Sequence, residues 1–227
     1  MIGKTHRVGG LAVGAAASAA LFSTQDMSMA LPMTIVVLTG SAFGSLIPDL
    51  DHKGAELSKD AKLASWLVRQ FADHRGLTHY GITALIFFIA MIGLNFLLVS
   101  VGSPTFVAIC GALIVQSAIA LVFEFLPRRM VRKYGLKIRL IALVVSLVIS
   151  FNVPYIITDI ITFYSIGLGL GYLSHLLLDS LTVSGIPLFG ANRDNVRLAT
   201  LRTGESERLV ANICYLITGI FLIIIVL

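Results

Sequence analysis

Long apolar segments alternate with short polar intervals along the whole chain. Seven of these segments approach the roughly 20 apolar residues that are needed to cross a bilayer core of about 30 Å. They lie at about 8–24, 33–48, 81–101, 105–126, 138–158, 160–181 and 209–227. The boundary between the fifth and the sixth is the least defined, because only Asn152, Pro154 and Asp159 interrupt that apolar run. The pattern predicts an all-α, polytopic membrane bundle of about seven transmembrane helices that forms a single domain over residues 1–227.

Three of the predicted spans are rich in small residues. They are the first with Gly9, Gly10 and Gly14, the second with Gly40 and Gly44, and the sixth with Gly167, Gly169 and Gly171. Small residues at such spacing let helix backbones approach closely in lipid. We therefore expect these three helices to form the packed centre, with the bulkier third, fourth, fifth and seventh spans around them.

Composition and charge support a membrane protein and give its orientation. The chain is 57% hydrophobic and 13% charged, whereas a soluble domain has about 25% charged residues. All 17 Lys and Arg residues precede the first span or lie in the connections 53–75, 128–139 and 193–208, which fall on one side of the membrane. The positive-inside rule makes that side the cytoplasm, with the N-terminus inside. Topology thus explains the net charge of +5, and we expect no nucleic-acid partner. We also expect residues 1–24 to be retained as a span rather than cleaved as a signal peptide.

Histidines and aspartates cluster at the predicted cytoplasmic ends of four spans. The set is His6, Asp49, Asp51, His52, His74, His79, His175 and Asp179. His175 and Asp179 are four residues apart on a predicted helix, so they share one face. Imidazole and carboxylate groups together suit zinc, manganese or iron, and ionisable groups in an apolar helix mark function. We predict a site for one or two divalent ions, with zinc the first candidate.

Some assignments stay open at this stage. His6 taken alone suits an ordinary interfacial polar residue, and His52 is either a ligand or a support for one. Arg7 and Arg75 each follow a candidate ligand, and they either bind a phosphate oxygen or simply obey the positive-inside rule. Glu205 or Glu207 either caps the last helix or reaches the site, and capping is favoured.

Several of these motifs together resemble a known family. The motifs are Thr5-His6-Arg7, Pro48-Asp49-Leu50-Asp51-His52, His74-Arg75-Gly76-Leu77-Thr78-His79, the segments 171–179 and 182–189, and Arg202-Thr203-Gly204. In this respect the chain resembles the bacterial membrane-bound metal-dependent hydrolases, also described as LexA-regulated inner-membrane proteins. Their histidine and aspartate pattern is similar to that of zinc-dependent phospholipase C. Tyr80 departs from the family, where Ser is more common. The resemblance implies a location in the bacterial inner membrane and a metal-site set of His6, Asp49, Asp51, His74, His79, His175 and Asp179.

The sequence thus leads to two hypotheses. The first is a membrane-embedded, metal-dependent hydrolase of a lipid or lipid-linked phosphoester at the cytoplasmic face. In it, metal ions activate a water, Arg75 or Arg7 stabilises phosphoryl charge, and Asp51 or Asp49 takes the proton. The second is a metal-binding membrane protein without catalysis, or an ion transporter, although a transporter should carry ionisable residues near the bilayer midplane. The sequence leaves the oligomeric state open.

Overall fold

The computed structural model describes residues 3–72, 76–101, 103–152, 154–190 and 194–227. The helices in chain order are α1 (Gly3–Phe22), α2 (Met27–Gly44), α3 (Glu56–Asp60), α4 (Lys62–Phe71), α5 (Gly81–Val101), α6 (Pro104–Phe125), α7 (Arg128–Asn152), α8 (Pro154–Ser180) and α9 (Glu207–Val226). Across the described residues, β-structure is limited to two isolated bridges, Thr182 with Leu201 and Ile186 with Val196. The predicted all-α fold is therefore confirmed.

Five stretches are long and apolar enough to cross a membrane. Among the described residues they are Met27–Asp51, Pro104–Phe123, Arg129–Asn152, Thr158–Ser180 and Glu207–Val226. Gly81–Leu97 is a shorter apolar helix, and α1 has 20 residues but is not among the five. The predicted membrane bundle is therefore confirmed, whereas its count of seven spans stays a prediction.

The structure moves several of the predicted helix boundaries. Helix α7 begins at Arg128, so the basic connection before the fifth predicted span is largely helical. It ends at Asn152, and α8 begins at Pro154 rather than after Asp159. Proline is favoured at the first position of a helix, where its missing N–H is not needed. Helix α2 begins at Met27 and continues through Pro32.

Helices α1, α2 and α8 pack together at the centre, as their small residues predict. Gly40 and Gly167 bring the backbones of α2 and α8 into direct contact. A Cβ atom added at Gly167 would lie 2.5 Å from the carbonyl oxygen of Val37 and 3.1 Å from the Cα of Gly40. The last span lies around this centre, as expected: α9 packs along α1, and its Cys214 lies in a buried apolar cluster with residues of α1 and α8.

Replacing Gly167 by alanine should separate α2 from α8 and lower the free energy of unfolding by roughly 1–3 kcal/mol, which is typical of overpacking. Gly219→Ala in α9 is the matched control, because a Cβ atom there meets nothing within 4 Å and the substitution removes the entropy penalty of a helical glycine. Unfolding in mixed micelles, followed by circular dichroism, measures both. Equal stability of the two variants would contradict the close packing.

The polar interval between α2 and α5 consists largely of short helices and turns, which hold the aspartate-bearing turn at the end of α2. A 3₁₀ turn (Pro48–Asp51) ends the α2 segment, and a second one (Leu77–His79) leads into α5. Helices α3 and α4 pack on the first turn. Ser58 Oγ donates to the carbonyl oxygens of Asp49 and Leu50, at 3.1 and 3.3 Å. Ser65 Oγ donates to Leu50 O at 2.7 Å. These bonds hold the aspartate-bearing turn in place.

Candidate metal centre

Six of the eight predicted site residues meet at one end of the bundle. Helix α1 brings His6, the Pro48–Asp51 turn brings the two aspartates, the Leu77–His79 turn brings His79, and the last turns of α8 bring His175 and Asp179. His52 is exposed and belongs to neither of the two metal-ligand groups found among the described residues. His74 and Arg75 lie outside the described residues.

The end of α2 fixes the orientation of His175. Ser45 is the C-cap residue of α2, so its carbonyl is one that the helix leaves available. The Nδ1 atom of His175 lies 2.7 Å from this oxygen. A carbonyl oxygen can only accept, so Nδ1 must carry the proton, and Nε2 of the neutral ring then bears the lone pair. The lone pair of His175 therefore points away from α2 and into the cluster.

The same reasoning orients His79. Thr78 Oγ1 donates its only proton to Asp51 Oδ2 at 2.5 Å and lies 3.0 Å from His79 Nδ1. The hydroxyl must then accept from Nδ1, which also lies 3.5 Å from Asp51 Oδ2. In the neutral ring Nε2 bears the lone pair. Asp51 therefore sits behind His79, in the place of a carboxylate that orients a metal-bound histidine.

Three electron-pair donors consequently converge on one point. His175 Nε2 lies 3.3 Å from His79 Nε2, and Asp179 Oδ2 lies 3.6 Å and 3.7 Å from these two nitrogens. Two ligands of a tetrahedral zinc ion with bonds of 2.0–2.1 Å are about 3.3–3.4 Å apart. The three atoms can hold a zinc-sized cation with little rearrangement, and a cation between them would relieve the repulsion of their lone pairs.

His6 extends this cluster on the side of α1. Its ring stacks on that of His175, with centroids 3.7 Å apart and an interplanar angle of 15°. Its Nε2 lies 3.2 Å from Asp179 Oδ1, and its Nδ1 has no hydrogen-bonding partner in the described part of the chain. His6 precedes the first predicted span, and burial lowers its pKa to about 4. The ring is therefore neutral near pH 7, and a buried neutral imidazole is suited to ligate a cation.

Asp49 is the most accessible member of the cluster. Its Oδ1 lies 3.8 Å from His175 Nε2, and its side chain is 16% exposed, whereas that of His175 is fully buried. His6, Asp49 and His175 form one group with ligand atoms within 4.8 Å, and His79, His175 and Asp179 form another. Both groups need His175, whose only available nitrogen is Nε2. The two groups therefore describe overlapping halves of one centre rather than two separate sites.

Sequence reasoning missed the residues that hold these ligands. The Ser45 carbonyl and the Thr78 hydroxyl orient the two histidines. Tyr172, one turn before His175 on α8, donates its hydroxyl to Thr78 O at 2.5 Å and so ties the Leu77–His79 turn to α8. Thr78 could have been found from its place beside His79, because hydroxyl residues next to a ligand often support it. Ser45 acts through its backbone, and its side chain carries no such signal.

Charged residues also lie buried beside His6. Thr5 donates its hydroxyl to the carboxylate of Glu207, the first residue of α9, and both residues are buried. Glu207 thus contacts α1 next to the site, and its favoured role as a cap for its own helix stays a prediction. Arg7 is only 8% exposed, which is unusual for a residue whose role is topological alone.

A family described as YdjM inner membrane protein matches the chain over residues 1–226. No curated protein and no solved structure matches it. The predicted inner-membrane family is therefore confirmed, whereas the resemblance to hydrolases and to zinc-dependent phospholipase C stays a prediction, because the family description states no activity. The chain belongs to the YdjM inner membrane protein family.

Proposed function

We propose that this protein is a membrane-embedded, metal-dependent hydrolase that cleaves a phosphoester of a lipid or lipid-linked substrate at the cytoplasmic face of the inner membrane. One observation carries the proposal: the convergence of His79 Nε2, His175 Nε2 and Asp179 Oδ2, which lie 3.3–3.7 Å from one another. A divalent cation between these atoms would offset the repulsion of their lone pairs and the cost of burying the carboxylate.

The residues fit a divalent ion, with zinc preferred for this mixture of nitrogen and oxygen ligands and manganese or iron as alternatives. His79, His175 and Asp179 would hold one ion. His6 and Asp49 would complete that site or contribute to a second ion that shares Asp179. A bound ion of this kind lowers the pKa of water toward neutrality and polarises a phosphoryl oxygen.

The chain itself supplies the remaining chemistry. Hydrolysis adds water across the P–O ester bond and releases an alcohol and a phosphate. Asp49 is the better placed of the two aspartates to accept the proton of the attacking water, because it is partly exposed while Asp51 is engaged with Thr78 and His79. Arg7, buried beside His6, is suited to stabilise negative charge on the phosphoryl oxygens. Arg75 keeps the same proposed role.

The position of the cluster suggests a substrate with a polar and an apolar end. The ligands lie where α1 and α5 begin and where the α2 segment and α8 end, so the centre is at the boundary of the apolar bundle. The proposed topology has seven membrane spans and an N-terminus in the cytoplasm. The contact of Thr5 with Glu207 places the start of α9 beside the start of α1, as this topology requires.

A second candidate is a metal-binding membrane protein without catalysis. The full burial of His6, His79 and His175 favours it, since structural ions are usually closed off from solvent. An ion transporter is less favoured, because the ligands gather at one end of the bundle instead of along a path at the midplane.

The test begins with the metal content of the purified, detergent-solubilised protein. We expect one or two zinc, manganese or iron ions per chain, removable by a chelator and restored by the metal. The loaded protein should then release phosphate or a phosphorylated headgroup from phospholipids or lipid phosphates, and the chelated protein should not. Folded protein that takes up no metal would refute both candidates, and metal without hydrolysis of any such substrate would favour the second.

A further inference from the structure

Helix α4 has an unusual distribution of polar and apolar residues. Ser65 faces the protein and is completely buried, with its hydroxyl bonded to the Pro48–Asp51 turn. The opposite side of the helix carries Leu63 and Phe71, which are 72% and 81% exposed, together with Leu67. These three lie four residues apart and form a single stripe along the helix. In water, such an apolar stripe would be unfavourable.

The place of α4 in the chain limits what can cover this stripe. Its ten residues make a helix of about 15 Å, which is half of what a bilayer core needs. It lies between the candidate span Met27–Asp51 and the apolar helix Gly81–Leu97, and it packs on the turn that ends the first of these. The stripe therefore lies at the level where the apolar surfaces of the flanking helices begin. The headgroup region of a bilayer is therefore at the right level to cover the stripe.

The charged residues of α4 indicate which class of lipid the helix would contact. Lys62 and Arg69 are its only charged residues, and both are positive. Long basic side chains reach from an apolar surface to headgroups, and positive charge at a membrane surface attracts anionic lipids. Trp66, 52% exposed, is the residue type enriched at membrane interfaces.

We propose that α4 lies flat in the interface of an anionic phospholipid bilayer, on the side of the histidine and aspartate cluster, with Leu63, Leu67 and Phe71 in the acyl boundary. Through Ser65 and Leu50 it sets the depth of the aspartate-bearing turn relative to the headgroups. The inference does not depend on metal binding or hydrolysis, so its failure would leave the proposed function standing.

The chain contains one tryptophan, Trp66, so its fluorescence reports on α4 without labelling. The full-length protein is reconstituted into vesicles of phosphatidylethanolamine and phosphatidylglycerol that contain brominated phospholipids. The apolar face of an interfacial helix lies about 5–10 Å into the headgroup and acyl boundary. Bromine near the headgroup should therefore quench Trp66 at least about twofold more than bromine near the chain end, and aqueous acrylamide should quench it weakly.

A depth control is Trp66→Phe combined with Leu113→Trp, because Leu113 is exposed near the middle of α6. The tryptophan fluorescence of this variant should be quenched more by bromine near the chain end than by bromine near the headgroup. Strong acrylamide quenching of Trp66 without bromine quenching would place α4 in water and overturn the proposal. Weak quenching by both agents would mean that protein, such as a second copy of the chain, covers the stripe, and would also overturn it.

Two substitutions in α4 test whether its apolar stripe and its basic residues hold the helix at the membrane. Phe71→Gln should raise acrylamide quenching of Trp66 in the same vesicles, whereas Lys62→Gln should do so only in vesicles that contain phosphatidylglycerol. An unchanged response of Phe71→Gln would show that the stripe does not hold α4 at the membrane.

Discussion

Replacing Asp179 by asparagine should weaken metal binding by at least about 100-fold, because changing residues that only support a ligand already costs 10–100-fold. The substitution keeps the volume of the side chain but removes its negative charge. Asp179 contacts three histidines, with Oδ1 on His6 and Oδ2 on His79 and His175. It is therefore the residue whose loss affects most of the centre. Metal analysis and chelator competition on the purified variant measure the effect.

Asp159→Asn on the same helix is the matched control. Asp159 is exposed on α8, twenty residues from Asp179 and thus about 30 Å away. The control should bind metal as the wild type does. If Asp179→Asn elutes as a folded protein and retains wild-type metal content, then the convergence of donors on this carboxylate has another explanation, such as a shared proton.

Replacing Thr78 by valine should weaken metal binding by about 10–100-fold without removing any ligand. Valine has the shape of threonine but no hydroxyl, so Asp51 loses its 2.5 Å hydrogen bond and His79 Nδ1 loses an acceptor that lies 3.0 Å away. The imidazole of His79 is then less firmly oriented toward Asp179. Competition between the protein and a zinc chelator gives the change in affinity.

Thr78→Ser separates the hydroxyl from the methyl group. Serine retains the donor, so this variant should bind metal within a few-fold of the wild type. If serine were as harmful as valine, the packing of the methyl group would be the cause, and the orienting role of Thr78 would be wrong. Wild-type affinity in Thr78→Val would show that Asp51 alone is enough to hold His79.

The sequence predicted that the chain forms apolar helices and that histidines and aspartates meet at one end of the bundle. Both predictions have a physical basis. A bilayer demands long apolar segments, and glycine at close helix contacts leaves a clear pattern, as Gly40 and Gly167 show. Histidines in an apolar chain are costly, so their common location at segment ends was informative. The meeting of His6 with Asp179 followed from topology alone, without any local signal.

Other features were less accessible from the sequence. The boundary at Asn152 and Pro154 was misplaced, because Asp159 looked like an interruption but α8 runs through it. The sequence pattern predicted only a polar connection at 53–75, although the apolar residues of α4 recur at helical spacing. The role of Ser45 was not predictable, since any residue offers the same carbonyl and only the packing of α2 on α8 brings it to His175.

The separation of the clustered residues along the chain bears on how the protein is made. His6 lies on α1, which is synthesised well before α8, the helix that carries His175 and Asp179. Until α8 inserts, His6 at the start of α1 lacks the carboxylate that it contacts in the finished fold. Asp179 in turn is costly to insert alone and gains its histidine contacts only when α8 docks. We therefore expect completion of this end of the bundle to be a late step of membrane biogenesis.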